Sequence, residues 1–241
     1  MPADCTFAVI PAFNEDRCVG DVIRRVRQFL PSAHIVLVDD ASTDSTAQTA
    51  RSAGASVIRL PVNSGYGVAL QTGLIWAYRN GAQTVVTLDA DGQHEPAEIP
   101  ALLHPLSAGE ADLSLGSRYL NHGARYHVPF LRLLGSRLFA RIASRLIGQP
   151  VTDPTTGFQA MNRKVLDLYA NLREFPEQTP DADLIVYANL RRCRIVEVPV
   201  IMHADQGEGS MHGAIKSAAY VPKMLISILS VLAAGARKQA A

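Results

Sequence analysis

Two aspartates separated by a single alanine, Asp89-Ala90-Asp91, follow a β-branched run and lead straight into Gly92, Gln93 and His94. Carboxylates this close disfavour each other's ionisation unless a positive charge sits between them. Hard cations such as Mg²⁺ take carboxylate oxygens and leave further positions to substrate phosphates and water. The run therefore reads as a metal site, with Asp89 and Asp91 as ligands and Gln93 or His94 completing the shell or orienting a ligand. On a continuing strand, side chains two apart point the same way, and the turn begun by Gly92 folds Asp91 onto the ion. Asp-Gly is also a common turn former, and the triplet alone is a weak signal. Position decides its weight.

A second acidic pair, Asp39-Asp40, ends the run "IVLVDD" and precedes "ASTDST". Carboxylates there can accept hydrogen bonds from a base N–H or a ribose hydroxyl, or one of them, or Ser42, can cap the next helix. Pro11-Ala12-Phe13-Asn14-Glu15 is placed to wrap the base, with Glu15 doubling as a first-turn helix acid. Two other nucleotide schemes fail. A dinucleotide fingerprint puts G-x-G-x-x-G directly after the first strand, where this chain has "PAFNE"; Gly65, Gly67 and Gly73 come two units later with the wrong spacing. A G-x-x-x-x-G-K-[ST] phosphate loop is absent from the sequence.

The elements that must position these residues alternate. "TFAVIPAF", "HIVLVDD", "SVIRLP", "TVVTLDAD" and "ADLSLGS" read as strands. Between them, "EDRCVGDVIRRVRQFL", "STDSTAQTARSAG", "NSGYGVALQTGLIWAYRNG" and "HEPAEIPALLHPLSAG" read as helices. The pattern predicts an α/β fold with a mostly parallel central sheet flanked by helices. Ligands of such sheets bind outside the carboxyl ends of the strands, which puts "PAFNE", Asp39, Asp40, Asp89 and Asp91 on one rim. The second half is less regular. "PFLRLLGSRLFARIASRLIG" is an amphipathic helix, with Arg137, Arg141 and Arg145 on one stripe and Leu131, Leu134, Leu138 and Ile142 on another. "QPVTDPTTGFQAMNR" reads as a loop, "REFPEQTPDADL" as a polar connector, "CRIVEVPVIM" as a strand and "HADQGEGSMHG" as a glycine-rich loop.

A net charge of +1 over 241 residues gives no global argument for nucleic acid, and none is expected as a partner. Charge is uneven, however. From Leu113 to Thr152 there are six arginines and no acid, a field suited to phosphates or an anionic lipid surface. Three scattered cysteines, Cys5, Cys18 and Cys193, give neither a disulfide framework nor zinc spacing, so a reduced cytoplasmic compartment is expected. No secretory leader is read at the start. Met224–Ala236 is apolar for 13 residues, short of the roughly 20 that a bilayer span requires. That segment is expected to be a helix lying on a membrane surface or against a second copy of the chain.

In order and spacing, "VIPAFNE", "LVDDASTD", "NSGYGVALQTG", "LDADGQHEP", "GSRY" and "DPTTGFQAMNR" resemble the family-2 glycosyltransferases of GT-A fold. The polyprenol (dolichol)-phosphate mannose and glucose synthases are the branch most resembled. The resemblance runs from about Phe7 to Gly209, and the ordered set is specific where each motif alone is not. It implies a Rossmann-like nucleotide-diphospho-sugar transferase domain over residues 1–213, with the apolar helix at 214–241. It implies that Pro11, Ala12, Asn14, Glu15, Asp39 and Asp40 hold the nucleoside, with Gly67 and Ala90 in the same donor site. Asp89, Asp91 and Gln93 would carry Mg²⁺ or Mn²⁺ on the diphosphate of a UDP- or GDP-linked sugar. Arg118 matches a position near the phosphates, and Asp153 lies in the sugar-side loop. Two motifs depart from the family. "DADL" replaces a glutamate context, making Asp183, then Asp181, the candidate base. "DQGEGSM" stands where an R-x-x-G-x-S-K ending is usual, leaving His212 or Lys216 as substitutes.

The expected activity is metal-dependent, inverting transfer of a sugar to a polyprenyl phosphate or another cell-envelope acceptor, at the cytoplasmic face of a membrane. Two alternatives come from other classes: a sugar-nucleotide nucleotidyltransferase, and a nucleotide-binding protein descended from a transferase. The first needs a glycine-rich basic signature near the first strand, which "PAFNE" lacks.

Overall fold

The computed structural model describes residues 5–120, 130–172, 175 and 182–203, with residues 130–136 described as backbone only. The C-terminal segment, the "DQGEGSM" loop and Asp181 lie outside the described residues. Seven strands form one sheet: β1 (Thr6–Ala12), β2 (His34–Asp39), β3 (Ser56–Arg59), β4 (Thr84–Thr87), β5 (Leu113–Ser117), β6 (Gln159–Asn162) and β7 (Ile195–Pro199). The order across the sheet is β3-β2-β1-β4-β6-β5-β7. Helices α1 (Val19–Phe29), α2 (Thr46–Ser52), α3 (Tyr66–Arg79), α4 (Ile99–Ser107), α5 (Phe130–Ile147), α6 (Arg163–Ala170) and α7 (Ala182–Leu190) cover it.

Burial on both faces explains why the strands are continuously apolar rather than alternating. Along β1, Phe7 and Val9 join one buried cluster with Leu74 of α3, Val165 of α6 and Ile185 of α7. Ala8 and Ile10 join the other, with Val22 and Ile23 of α1 and Leu102 of α4. On the first face α3 lies so close to β1 that a Cβ at Gly73 would stand 2.4 Å from Val9 Cγ1. Only glycine permits that approach.

Topology makes the functional rim. From β1 the chain winds outward through β2 and β3, then returns past β1 to β4, so strand order reverses between β1 and β4. Such a reversal opens a crevice at the carboxyl ends of the two strands. β6 runs antiparallel to both β4 and β5, which leaves β5 pointing the same way as β4, and β7 pairs parallel to β5. The ends of β1, β2, β4, β5 and β7 thus share one rim.

Four expectations need correction. Strand β4 stops at Thr87, so Asp89 and Asp91 sit in a turn and not on a continuing strand. The backbone leaves the sheet after Leu88, whose N–H donates to the Val9 carbonyl at 3.3 Å. The stretch read wholly as loop contains β6, four residues held by neighbours on both sides. β5 begins at Leu113, two residues later than its predicted start. On α5 Phe139, Ala143 and Ile147 form the buried stripe among the described side chains, while Leu138 is 46% exposed and Ile142 half-buried, so these two residues of the predicted apolar stripe are not at its core.

At the opposite rim Asp112 staples three strands together. Its carboxylate accepts from the Arg194 N–H at 2.8 Å, Asn162 Nδ2 at 2.9 Å and Lys164 Nζ at 3.1 Å. Burial works to raise its pKa, but these bonds outweigh burial and hold the carboxyl well below the usual aspartate value. A depressed folded pKa gives stability that is complete above the unfolded value and is lost as pH falls below it. Asp112→Asn is therefore expected to cost about 1.5–3 kcal/mol near neutral pH and to flatten the acid limb of stability below about pH 4, measured by urea unfolding across pH.

Candidate active site

The turn after β4 is organised around its two carboxylates. Asp89 Oδ1 accepts from the Tyr66 hydroxyl at 3.0 Å, and the Asp89 N–H donates to His94 Nδ1 at 3.0 Å. Because Nδ1 accepts, the neutral ring carries its proton on Nε2, which stands 3.7 Å from Asp89 Oδ2. His94 is buried and stacks on Phe158 at 5.0 Å between ring centroids. Burial lowers its pKa to about 4, so it is neutral at physiological pH. Burial also raises the Asp89 pKa, against the opposing Tyr66 hydrogen bond and the Arg118 charge. Asp91 accepts from Gln93 twice, Oδ1 from the backbone N–H at 2.9 Å and Oδ2 from Nε2 at 2.8 Å. Gln93 therefore steadies Asp91; its backbone carbonyl accepts from the His203 N–H at 2.8 Å, so the oxygen it can offer an ion is the side-chain Oε1. Ala90, between the two acids, is buried.

The loop before β6 reaches this turn through register. Thr87 pairs with Gln159 in the antiparallel ladder, so continuing the pairing two residues brings Gly157 opposite Asp89. Thr87 Oγ1 donates to the Gly157 carbonyl at 2.8 Å. A Cβ on Gly157 would stand 2.8 Å from the Tyr66 hydroxyl and 3.1 Å from Asp89 Oδ1. There is no room for a side chain.

At the neighbouring end of β2, Asp39 is fully buried. Its Oδ1 accepts from the Ser42 N–H at 2.9 Å; its Oδ2 accepts no hydrogen bond, although Arg59 Nε stands at 3.4 Å. A buried acceptor without a hydrogen bond is costly, and a ligand's N–H or O–H would satisfy it. Asp40 differs in that both its oxygens accept backbone N–H bonds, from Ser64 at 2.7 Å and Gly65 at 2.8 Å. It holds the turn that starts α3, where Gly65 has φ +98° and Gly67 is buried in the first helical turn. The "PAFNE" segment is tied to the β2 loop. The Asn14 N–H donates to Ser42 Oγ at 2.9 Å, Asn14 Oδ1 accepts from the Thr43 N–H at 2.9 Å, and the Glu15 N–H donates to Thr46 Oγ1 at 2.8 Å. Asn14 has φ +57°, a conformation that asparagine adopts more readily than most residues. Pro11 and Ala12 close β1 opposite Val38 and Asp39.

Arg118 follows β5 and is buried against Asp153, with Nε 2.6 Å from Oδ2. Asp153 is itself held from below. Glu197 of β7 accepts from the Thr152 and Asp153 N–H groups at 2.8 Å and from Thr152 Oγ1 at 2.9 Å. Asp183 is fully buried in the first turn of α7, where one oxygen accepts from the Leu184 N–H at 2.8 Å; Leu184 shares a small cavity with Tyr66 and Gly157. Among the described residues no three His, Cys, Asp or Glu side chains converge to hold a metal by themselves. Asp89 and Asp91 still fit a hard divalent ion, since they offer oxygen donors and Asp89 is 31% exposed.

The description "Glycosyl transferase family 2" matches residues 7–169, well over half of the chain. The chain belongs to glycosyltransferase family 2. It is similar to the polyprenol monophosphomannose synthase of Mycolicibacterium smegmatis, 34% identical over 69% of this chain and 64% of that protein, so it spans a little under two thirds of that relative. It is also similar to the undecaprenyl-phosphate mannosyltransferase of Micrococcus luteus, 31% identical over 88% of this chain and 90% of that one. Glucosyl-3-phosphoglycerate synthase from Mycobacterium tuberculosis, solved with Mn²⁺ and UDP-glucose, superposes with a TM-score of 0.72 at 23% identity, covering 95% of this chain and 79% of that one. The fold is GT-A, as the motif order implied.

Three contributors escaped sequence reasoning. Glu197 was legible as a lone acid in an apolar strand, a placement that asks for buried partners. Gly157 sits inside a quoted motif, but nothing in that motif shows that it faces Tyr66 and Asp89. Tyr66 lies inside the quoted "NSGYGVALQTG", where only its glycines drew a reading.

The Arg118–Asp153 pair makes a sharp stability prediction. Arg118→Ala strands a buried carboxylate and is expected to cost about 3–5 kcal/mol, whereas the double Ala variant should cost clearly less than the sum of the singles. A urea-unfolding cycle measures this, and additive singles would contradict a direct pairing.

Proposed function

We propose that this family-2 glycosyltransferase moves a sugar, with inversion and with a divalent metal, from a UDP- or GDP-linked donor to a polyprenyl phosphate. The observation that carries the reading is the Asp89/Asp91 turn at the switch point between β1 and β4, beside the unsatisfied Asp39 Oδ2. In this reading Pro11, Ala12, Asn14, Glu15 and Asp39 face the nucleoside, Gly67 and Ala90 shape the floor, and Asp40 acts through the α3 turn. Asp89 and Asp91, with the Gln93 side-chain oxygen, hold Mg²⁺ or Mn²⁺. When bound, the metal neutralises charge on the departing diphosphate. Arg118, fixed by Asp153, points the same kind of charge at the phosphates. The similar proteins named for polyprenol and undecaprenyl phosphate support a lipid phosphate as acceptor.

A phosphate monoester has its second pKa at about 6, so this acceptor is already a competent nucleophile near neutral pH. No strong base is then needed. The burial of Asp183 agrees with that, while a sugar hydroxyl would call on Asp183 or Asp181 as base. Arg137, Arg141, Arg145 and Leu138 are exposed on one side of α5, a basic face with an apolar tip suited to an anionic bilayer on the cytoplasmic side. No helix among the described residues is long and apolar enough to cross a membrane.

Thermal unfolding with UDP, GDP, dTDP and CDP, each with and without Mn²⁺, tests the donor site. One of the first two nucleotides is expected to add about 2.7 kcal/mol at roughly a hundredfold excess over Kd, only with metal, and not in Asp91→Asn. Metal-independent stabilisation that survives in Asp91→Asn would refute the arrangement.

A further inference from the structure

We infer that Tyr66 is a positioning residue for metal binding, holding Asp89 in its ligating orientation from the first turn of α3. The inference rests on the reading of Asp89 as a metal ligand and gives a role to a tyrosine to which the sequence reading assigned none. Three observations meet at its hydroxyl. Tyr66 donates to Asp89 Oδ1 at 3.0 Å and not to Oδ2, which lies 3.7 Å from His94 Nε2. The tyrosine itself is placed by Asp40, whose two oxygens fix the N–H groups of Ser64 and Gly65 immediately before it. Gly157 then leaves the space in which the bond forms, since a Cβ there would come within 2.8 Å of the hydroxyl oxygen.

The consequence is a mechanical link between the two acidic pairs of the rim. Asp40 at the end of β2 sets the α3 turn, and the α3 turn sets Asp89 at the end of β4. A carboxylate that must bind a cation gains from a donor on one oxygen, because the bond fixes its rotation before the metal arrives. His94 fixes the backbone of the same residue through the Asp89 N–H, but its ring nitrogen stays 3.7 Å from the carboxylate. Orientation of the carboxylate therefore falls to Tyr66.

The test is a Mn²⁺ titration of the full chain followed by electron paramagnetic resonance of the free ion, with UDP and, in parallel, GDP present. Tyr66→Phe keeps the ring and removes the donor; it is expected to weaken Mn²⁺ binding by about ten- to a hundredfold while the metal-free unfolding midpoint stays near that of the parent. Gly157→Ala should weaken binding in the same direction. The double variant should bind no worse than Gly157→Ala alone, because both changes break one bond. Mn²⁺ affinity of Tyr66→Phe within about twofold of the parent, with Asp91→Asn abolishing binding, would overturn the inference and leave the metal site standing. Unchanged binding in Asp91→Asn, or no uptake by the parent with either nucleotide, would remove the metal reading and this inference together.

Discussion

The constraint on which the rest of the structure depends is the placement of negative charge. Asp89 and Asp91 stand two residues apart at the rim of a buried sheet, where burial raises the Asp89 pKa against the Tyr66 bond and the Arg118 charge. Charge in such a place is tolerated only if every oxygen has a donor or a prospective ion. The molecule supplies donors from two elements, Tyr66 from α3 and Gln93 from the turn itself, and Gly157 leaves the space in which the Tyr66 bond forms. Gly157 reaches the turn from some seventy residues away because β6 runs antiparallel beside β4.

The same logic is repeated beside it with the opposite sign. Arg118 is a buried cation at the end of β5, and it is matched by Asp153, whose turn is in turn gripped by Glu197 of β7. Burial raises the Glu197 pKa, while the bonds from the Asp153 and Thr152 N–H groups oppose that rise. Carboxylates and a guanidinium thus face a common rim, each fixed before a ligand arrives. Sites of this kind gain their effect from dipoles and charges that need not reorganise when charge develops. A transferase that expels a nucleotide diphosphate needs that property.

Much of this could be read from the sequence, for definite reasons. Strands such as "FAVI" and "IVLV" are apolar on both faces, which marks a sheet covered by helices, and their order fixes which loops share a rim. The Asp89/Asp91 pair was legible because two acids one residue apart after a buried run demand an explanation. What was not legible depended on tertiary pairing. β6 is four residues, "QAMN", with no period of its own, and becomes a strand only between β4 and β5. Helix α5 carries apolar residues on two stripes, so periodicity could not decide that Phe139 and Ala143 pack while Leu138 stays exposed. Tyr66 acts through one hydrogen bond and Glu197 through a cluster of bonds to Thr152 and Asp153, all across long sequence separations, which spacing cannot reveal.

The central claim is that a metal held by the β4 turn serves transfer of a sugar to a lipid phosphate. The measurement that meets it most directly is transfer of radiolabelled sugar from UDP-glucose, UDP-N-acetylglucosamine or GDP-mannose to undecaprenyl phosphate in detergent. The account predicts a lipid-linked product from one donor that forms with Mg²⁺ or Mn²⁺, vanishes with EDTA and is lost in Asp91→Asn. Product formed equally with EDTA and in Asp91→Asn would contradict it.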